Sequence, residues 1–420
     1  MSLRQDAQEI YTEAIRRALP DVAVQQALNA LGEVRGRVLL VSVGKAGWQM
    51  ARAACGVLGP RITAGIVITK YHHSRGPLPP LEIWEAGHPI VDDASFRAAG
   101  RALELVRGLT AEDTGLFLLS GGGSALFERS ELPLVELQEI SRQLLSCGAD
   151  IQEINCIRKR LSAVKGGRFG AACAPARVVS VILSDVVGDR LDMIASGPAC
   201  VDTSTKKEAL EIVERYHLRL SAQAKDLLER PLPSALPHVE NHLCGSVSQL
   251  CASAMDSCRR LGYRPVLVSD HVDCEARDAG SELAALLRRH GESREPLAFI
   301  LGGETVVKLT GCGKGGRNQE LALSAAAGIA GMAGAAVFSV GSDGTDGPTD
   351  AAGGFVDGST AAALAGKGLS IPEVLAQNDA YHALACVDGL IFTGPTGTNV
   401  NDLSVALLRP ESTPEGNHRT

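Results

Sequence analysis

The sequence predicts an α/β protein of two domains, and three observations carry that prediction. Short apolar runs rich in β-branched residues alternate with Ala-rich helical stretches, the pattern of βαβ units and a mostly parallel sheet. The 420 residues are enough for two cores, and 45% of them are hydrophobic. Glycine is plentiful at 46 residues while aromatics make up only 4%, which favours many tight turns between strand and helix.

Taken in order, residues 5–31 read as one long amphipathic helix. Strands at 37–43 and 65–69 flank a helix over 48–57, and further strands follow at 116–119 and 178–183. Residues 231–237 contain Pro231, Pro233 and Pro237 and read as a linker, so the first domain is expected to span 1–232 and the second 238–420. Beyond it, strands are expected at 266–268, 298–301, 305–309, 337–340 and 403–408, with helices near 247–261, 276–290 and 317–329. Open α/β sheets bind ligands outside the carboxyl ends of their strands, so the chemistry is to be sought there.

A net charge of -7 excludes a protein that coats nucleic acid or an anionic membrane, because both partners need a broad basic surface. The eleven cysteines form no C-x-x-C pair and mostly sit in apolar runs, as reduced thiols of a cytoplasmic protein do. The N-terminus lacks the apolar core of a signal peptide. Residues 321–341 carry no charge, but Gly328, Gly331 and Gly334 divide them into helix, turn and strand instead of a membrane span.

Two glycine-rich loops stand out. Ser120, Gly121, Gly122, Gly123 and Ser124 follow the apolar strand at 116–119, and Gly311, Gly313, Gly315 and Gly316 precede Arg317. Glycine lets backbone N–H groups converge on an anion, so both loops are expected to hold phosphate or carboxylate. Lys45, in Gly44-Lys45-Ala46-Gly47 after the first strand, can reach phosphate oxygens, although neither the Walker A spacing nor G-x-G-x-x-G is present. On a helix over 155–167, Asn155, Arg158, Lys159, Ser162 and Lys165 would share one face, which suggests an anionic partner.

Asp185 and Asp189 follow the strand at 178–183 and precede Ser196 and Gly197. Carboxylates at a strand end beside phosphate loops suit Mg²⁺, which takes one or two of them and completes its shell with water and phosphate oxygens. Glu304 lies in Gly302-Gly303-Glu304-Thr305, and Asp343, Asp346 and Asp350 lie among glycines in a loop without EF-hand spacing. Arg317 opens a helix, where its charge opposes the dipole, so an anion is expected nearby. The loop 393–402 adds further donors and hydroxyls. His72, His73 and His88 lack ligand spacing and read as inert.

With these segments in order, the chain resembles the class II glycerate kinases, the glycerate 2-kinase family whose C-terminal half is called the MOFRL domain. The resemblance rests on Val43-Gly44-Lys45-Ala46, Ala86-Gly87-His88-Pro89, Ser120 to Ser124, 155–167, 184–189 with 195–198, 302–305, 315–320, 342–347 and 393–402, which span nearly the whole chain. It implies a Rossmann-like three-layer N-terminal domain, a smaller MOFRL-type C-terminal α/β domain, and an active cleft between them. It also implies ATP-dependent phosphorylation of D-glycerate to 2-phosphoglycerate, with residues matching Lys45 and Arg317 as catalytic candidates. On that reading Asp343 accepts the hydroxyl proton. Ser120, Gly121, Gly122, Gly123, Ser124, Lys165, Gly313, Gly315 and Gly316 hold ATP, Asn155, Arg158, Ser196, Gly197 and Glu304 hold glycerate, and Asp185 and Asp189 hold Mg²⁺. The oligomeric state stays open, a homodimer included. Two alternatives remain at this stage: a nicotinamide-dependent hydroxypyruvate reductase and a non-catalytic sensor of a phosphorylated metabolite.

Overall fold

A computed structural model describes residues 2–31, 34, 36–184 and 190–410. The chain divides into two compact units, one formed by Pro20–Gly245 and the other by the first nineteen residues together with everything from Ser246 onward.

The first unit is built on a wholly parallel six-stranded sheet of β1 (Val38–Val43), β2 (Ile62–Lys70), β3 (Leu81–Ala86), β4 (Thr114–Leu119), β5 (Arg177–Leu183) and β6 (Val239–Gly245). Its spatial order is β3-β2-β1-β4-β5-β6. Central β4 reads Thr-Gly-Leu-Phe-Leu-Leu and is buried throughout, as a strand covered on both faces by helices should be. Phe117, Phe127 and Phe169 meet at the core with ring centroids 4.9 to 6.0 Å apart.

The second unit carries a mixed sheet of β7 (Arg264–Val272), β8 (Leu297–Gly303), β9 (Ala335–Gly341), β10 (Gly353–Asp357), β11 (Leu390–Ile391) and β12 (Asp402–Leu408), in the order β11-β10-β9-β12-β8-β7. Strand β12 runs antiparallel to both of its neighbours, β8 and β9. The amino end of β12 therefore lies beside the carboxyl ends of those two strands, with Asp402 opposite Gly303 on one side and Gly341 on the other.

The α/β class holds, and four boundaries need correction. The expected helix over 5–31 is two helices, Leu3–Arg17 and Pro20–Ala30, because Pro20 has no N–H with which to continue the first. Only the second of these joins the first unit; Leu3–Arg17 belongs with the other. The proline-rich segment at 231–237 is not the domain boundary, since β6 comes after it and completes the first sheet. Residues 305–309 form a single bridge from Val306 to Glu275 instead of a strand, with Val306 and Leu309 exposed.

The basic segment also differs from expectation. The helix Ile151–Leu161 starts at the Asp150 capping box and ends where the Ser162 hydroxyl accepts hydrogen bonds from the Val164 and Lys165 N–H groups. Lys159, Arg160 and Lys165 are buried, so no solvated basic face exists here. All eleven cysteines are unbridged, and burial pushes the Cys173 and Cys244 thiols up to about 12, as expected of small hydrophobes. Among the described residues no helix is long and apolar enough to cross a membrane.

The helix Leu3–Arg17 is tied into its unit by Asp6, a fully buried carboxylate that accepts a 2.6 Å hydrogen bond from the Tyr263 hydroxyl and pairs with Arg409. Removing Asp6 leaves the buried Tyr263 hydroxyl without its acceptor, at a cost of about 1–3 kcal/mol, while Arg409, a third exposed, keeps contact with water. Asp6→Ala should therefore lower the unfolding free energy of this unit by about that amount in a urea titration. A loss under about 1 kcal/mol would show that this anchor carries little stability.

Candidate active site

In the first unit, β1 lies between β2 and β4, where the winding of the sheet reverses. A crevice opens outside the carboxyl ends of strands at such a switch point. The loops there are Gly44 to Gly47 after β1 and Ser120 to Ser124 after β4, and the backbone stitches them together. The Lys45 N–H donates to the Gly121 carbonyl at 2.9 Å, and the Ala46 N–H donates to the Ser120 hydroxyl at 3.1 Å. Gly44 must be glycine: its φ is +121°, and a Cβ there would sit 2.2 Å from Ser120 Oγ.

Gly122 adopts φ +85°, and its missing Cβ would stand 3.0 Å from the His88 ring and 3.3 Å from Lys45 Cγ. His88, Lys45 and the glycine loop are thus immediate neighbours. Burial, with Lys45 adding to it, holds the His88 pKa below its ordinary value, so the ring is neutral at pH 7. Among the described residues Lys45 has no carboxylate within ion-pair distance. It is a half-exposed cation at the switch point, available to an anion.

The remaining expected residues of this unit divide into two groups. Lys165 is fully buried; its ammonium pairs with Glu128 and donates to the Ser124 carbonyl at 2.8 Å. It holds the glycine loop in place from beneath and has no exposed face for phosphate, which corrects its expected contact with ATP. Asn155 and Ser196 are also buried and bond to each other, with Ser196 Oγ donating to Asn155 Oδ1 at 2.9 Å. Ser196 Oγ also lies 3.2 Å from Ser124 Oγ.

Ala195, Ser196 and Gly197 all have φ between +50° and +62°, a strained turn that keeps this hydroxyl chain behind the loop. Gly197 packs against the Asp192 backbone. Arg158 differs from these: it lines an open cavity with Gly122 and Ser124 and has no acidic partner among the described residues. Burial lowers its pKa against the opposing pull of Glu128, so the half-buried guanidinium lacks compensation that an anion would supply.

In the second unit, Arg317 opens the helix Arg317–Gly328. The anion expected beside it comes from the protein itself. Its Nε and Nη2 grip Asp402 at 2.5 and 3.0 Å, and Nη1 donates to Glu304 at 2.8 Å. Three of the five guanidinium N–H groups are used in this way, leaving one on each terminal nitrogen. Asp346 reaches over to cap the same helix, accepting from the Asn318 and Gln319 N–H groups at 3.1 and 2.9 Å. Asn401 donates to the second oxygen of Glu304 at 3.1 Å. Asp343 commits Oδ1 to the N–H and hydroxyl of Thr345, at 2.9 and 3.0 Å, which fixes its carboxylate and leaves Oδ2.

Part of the second glycine-rich loop is already in use within the protein. The Gly311 N–H donates to Asn378 Oδ1, the Gly313 N–H to the Gln377 carbonyl, and the Lys314 N–H to Asp379 Oδ1. Its glycines answer to close packing: a Cβ on Gly311, Gly313 or Gly316 would lie 2.3 to 2.5 Å from Gln377, Asp379 or Asp346. A Cβ on Gly315 would stand 3.3 Å from the Asn378 carbonyl oxygen, a tight contact without an outright clash.

Asp185 and Asp189 lie outside the described residues. Among the described residues no trio of His, Cys, Asp or Glu could hold a metal ion. Sequence reasoning set His88 aside as inert and passed over Glu128, which carries no motif. Asp402 was visible only as the end of the loop at 393–402.

The chain matches two family models, a domain of unknown function (DUF4147) over residues 6–229 and the MOFRL family over residues 297–402. It is 48% identical to the D-glycerate 2-kinase of Thermotoga maritima, over 97% of this chain and 99% of that one. It is 38% identical to a glycerate 2-kinase of Pyrococcus horikoshii, over 97% and 98% of the two chains. The crystal structure of a glycerate kinase from T. maritima superposes with a TM-score of 0.93 at 48% identity, covering 97% of this chain and 99% of that one.

Burial pushes the Asp402 carboxyl up to about 6 against the opposing hydrogen bond and charge of Arg317. Titration of the Asp402 carboxyl carbon by ¹³C NMR should give a midpoint near 6. Arg317→Met removes the cation that favours the charged form, so the midpoint should then move upward. A native midpoint near the ordinary 3.8 would show that Arg317 offsets the effect of burial in full.

Proposed function

The chain belongs to the glycerate 2-kinase family, and from that membership together with the site geometry we propose the following reaction and division of labour. The protein transfers the γ-phosphoryl group of ATP to D-glycerate, giving 2-phosphoglycerate and ADP. The observation that carries this reading is 48% identity to a D-glycerate 2-kinase over nearly the full length of both chains. Lys45, a cation without an acidic partner among the described residues, lies at the switch point of a parallel sheet and supplies what phosphoryl transfer needs.

In this reaction the C2 hydroxyl oxygen of glycerate bonds to the γ-phosphorus as the bond to the β-phosphate oxygen breaks. The hydroxyl proton passes to Asp343 Oδ2, whose orientation Thr345 sets. Lys45 neutralises charge on the moving phosphoryl group, and the backbone N–H groups of Gly121 to Ser124 hold the phosphate chain. Arg317, braced by Asp402 and Glu304, turns its two remaining N–H groups to the phosphoryl oxygens or the glycerate carboxylate. Glu304 and Asn401 complete the wall beside it. Ser196 and Asn155 position Ser124 from behind, and Lys165 fixes the loop from below. Asp185 and Asp189, which lie outside the described residues, are the carboxylates the sequence offers for holding Mg²⁺, whose charge would help to neutralise the phosphates. The reduced thiols fit a cytoplasmic enzyme.

The parallel strand order also suits dinucleotide enzymes, so the reductase alternative needs its own answer. Such enzymes need G-x-G-x-x-G after β1 and an acid near the end of β2 for the ribose. Here the turn reads Gly44-Lys45-Ala46-Gly47 and β2 ends on Lys70. NADH absorbance with hydroxypyruvate should not fall in the presence of the protein.

A coupled ADP assay with D-glycerate should show turnover, and phosphorus NMR should identify the 2-phosphate. Lys45→Ala removes an exposed cation without orphaning a partner, and should lower kcat about 10²- to 10³-fold with unchanged circular dichroism. Arg317→Lys keeps the charge and loses the fork on Asp402, and should cost about 10²-fold. This variant tests the role better than Arg317→Ala, which would strand a buried Asp402. Turnover within threefold of the parent in either variant would remove that residue from the catalytic set.

A further inference from the structure

A cavity of about 540 Å³ adjoins the first glycine loop. Part of its wall is Gly122, Ser124, His88 and the uncompensated Arg158; another part is Ile90, Val91, Leu137 and Leu145. A three-carbon acid is far too small to fill it and presents no apolar face to these side chains. The volume is that of a site for a drug-sized ligand, and the mixture of an apolar wall with a few polar groups is typical of such sites. Ile90 and Leu145 are 69% and 66% exposed, so apolar surface that would favour a flat aromatic ring is left in water.

Gln138 adds a directional element. Its Nε2 donates to the Val91 carbonyl at 2.8 Å. Only the amide nitrogen can donate to a carbonyl, so the orientation of the side-chain amide is fixed. Gln138 lines the cavity, and its Oε1 is left as an acceptor with no protein donor among the described residues. An acceptor fixed in this way matches an exocyclic amino group and opposes a carbonyl oxygen at the same place. Adenine carries the former on its six-membered ring and guanine the latter.

The geometry points to this cavity as the seat of the adenosine part of ATP. The base packs among Ile90, Val91, Leu137 and Leu145, its amino group donates to Gln138 Oε1, and Arg158 meets the phosphate chain as it runs to the Ser120–Ser124 loop. This assignment rests on the reading of the protein as an ATP-dependent kinase and adds the seat and recognition of the nucleotide to it.

Two variants of the full-length protein test the assignment, each checked for folding by circular dichroism. Gln138→Lys replaces the acceptor by a donor. It should shift the ratio of kcat/KM for ATP over GTP at least tenfold toward GTP, a change that loosened packing would not produce. Leu145→Glu alters an exposed side chain. It should raise KM for ATP about tenfold while KM for D-glycerate stays within twofold. Displacement of a fluorescent N-methylanthraniloyl ATP by ATP and by GTP, without glycerate, should reproduce both changes. An unchanged ATP-to-GTP ratio in Gln138→Lys, or a rise confined to the KM for D-glycerate in Leu145→Glu, overturns the assignment. If the parent protein releases no ADP with D-glycerate, the kinase reading fails by itself, and the displacement ratio still decides who occupies the cavity.

Discussion

The first unit's site depends on one buried ion pair. Lys165 lies fully inside the protein, paired with Glu128 and bonded to the carbonyl of Ser124. In a low-dielectric interior neither charge is tolerable alone, so each is held where the other is. The consequence is a loop with a fixed floor. Three consecutive glycines would otherwise cost conformational entropy and leave the N–H groups of Gly121 to Ser124 without a settled direction, whereas that of Ser120 is already bonded to the Val43 carbonyl at 2.9 Å. The stitching to Lys45 and Ala46 fixes the same loop from its other side.

This pair also explains why Arg158 is left over. Glu128 is the acid whose charge favours the charged form of Arg158, and Lys165 already occupies it. A guanidinium that burial disfavours and no carboxylate neutralises gains most from an anionic ligand. In the second unit the opposite solution is used. Arg317 is held by Asp402 and Glu304, so its geometry is set in advance and its charge is largely offset. One cation is poised by lacking a partner and the other by having two. The first favours affinity for an anion, the second precise placement of a few N–H groups.

Most of the fold was legible because its cause is local. Strands β1, β4, β5, β8 and β9 are apolar runs buried between helices, and hydrophobic periodicity finds such elements. Both edge strands of the first sheet were missed, and so was β10 beside the edge of the second. β3 reads Leu-Glu-Ile-Trp-Glu-Ala, β6 Val-Glu-Asn-His-Leu-Cys-Gly and β10 begins with two glycines; their pairing comes from neighbouring strands and leaves little trace in composition. Pro20 was visible and does break the first helix, but nothing local says that Leu3–Arg17 folds with the second unit. That follows from Asp6 meeting Tyr263 and Arg409, contacts separated by hundreds of residues.

The two glycine-rich loops show where site reading from composition stops. Both break strand or helix patterns, yet glycine has two distinct uses. At Gly122 the positive φ and the nearby His88 and Lys45 mean that a side chain is missing beside chemistry. At Gly311, Gly313 and Gly316 the missing side chains make room for Gln377, Asp379 and Asp346, and the N–H groups of Gly311 and Gly313 are consumed in that packing. A phosphate loop must keep its donors unpaired until the ligand arrives, which the sequence cannot report, because it does not say which distant carbonyl or carboxylate will reach them. Asp346 shows the same limit from the acid's side: it looks like a cation ligand among glycines, and its oxygens are used to cap the helix that begins at Arg317.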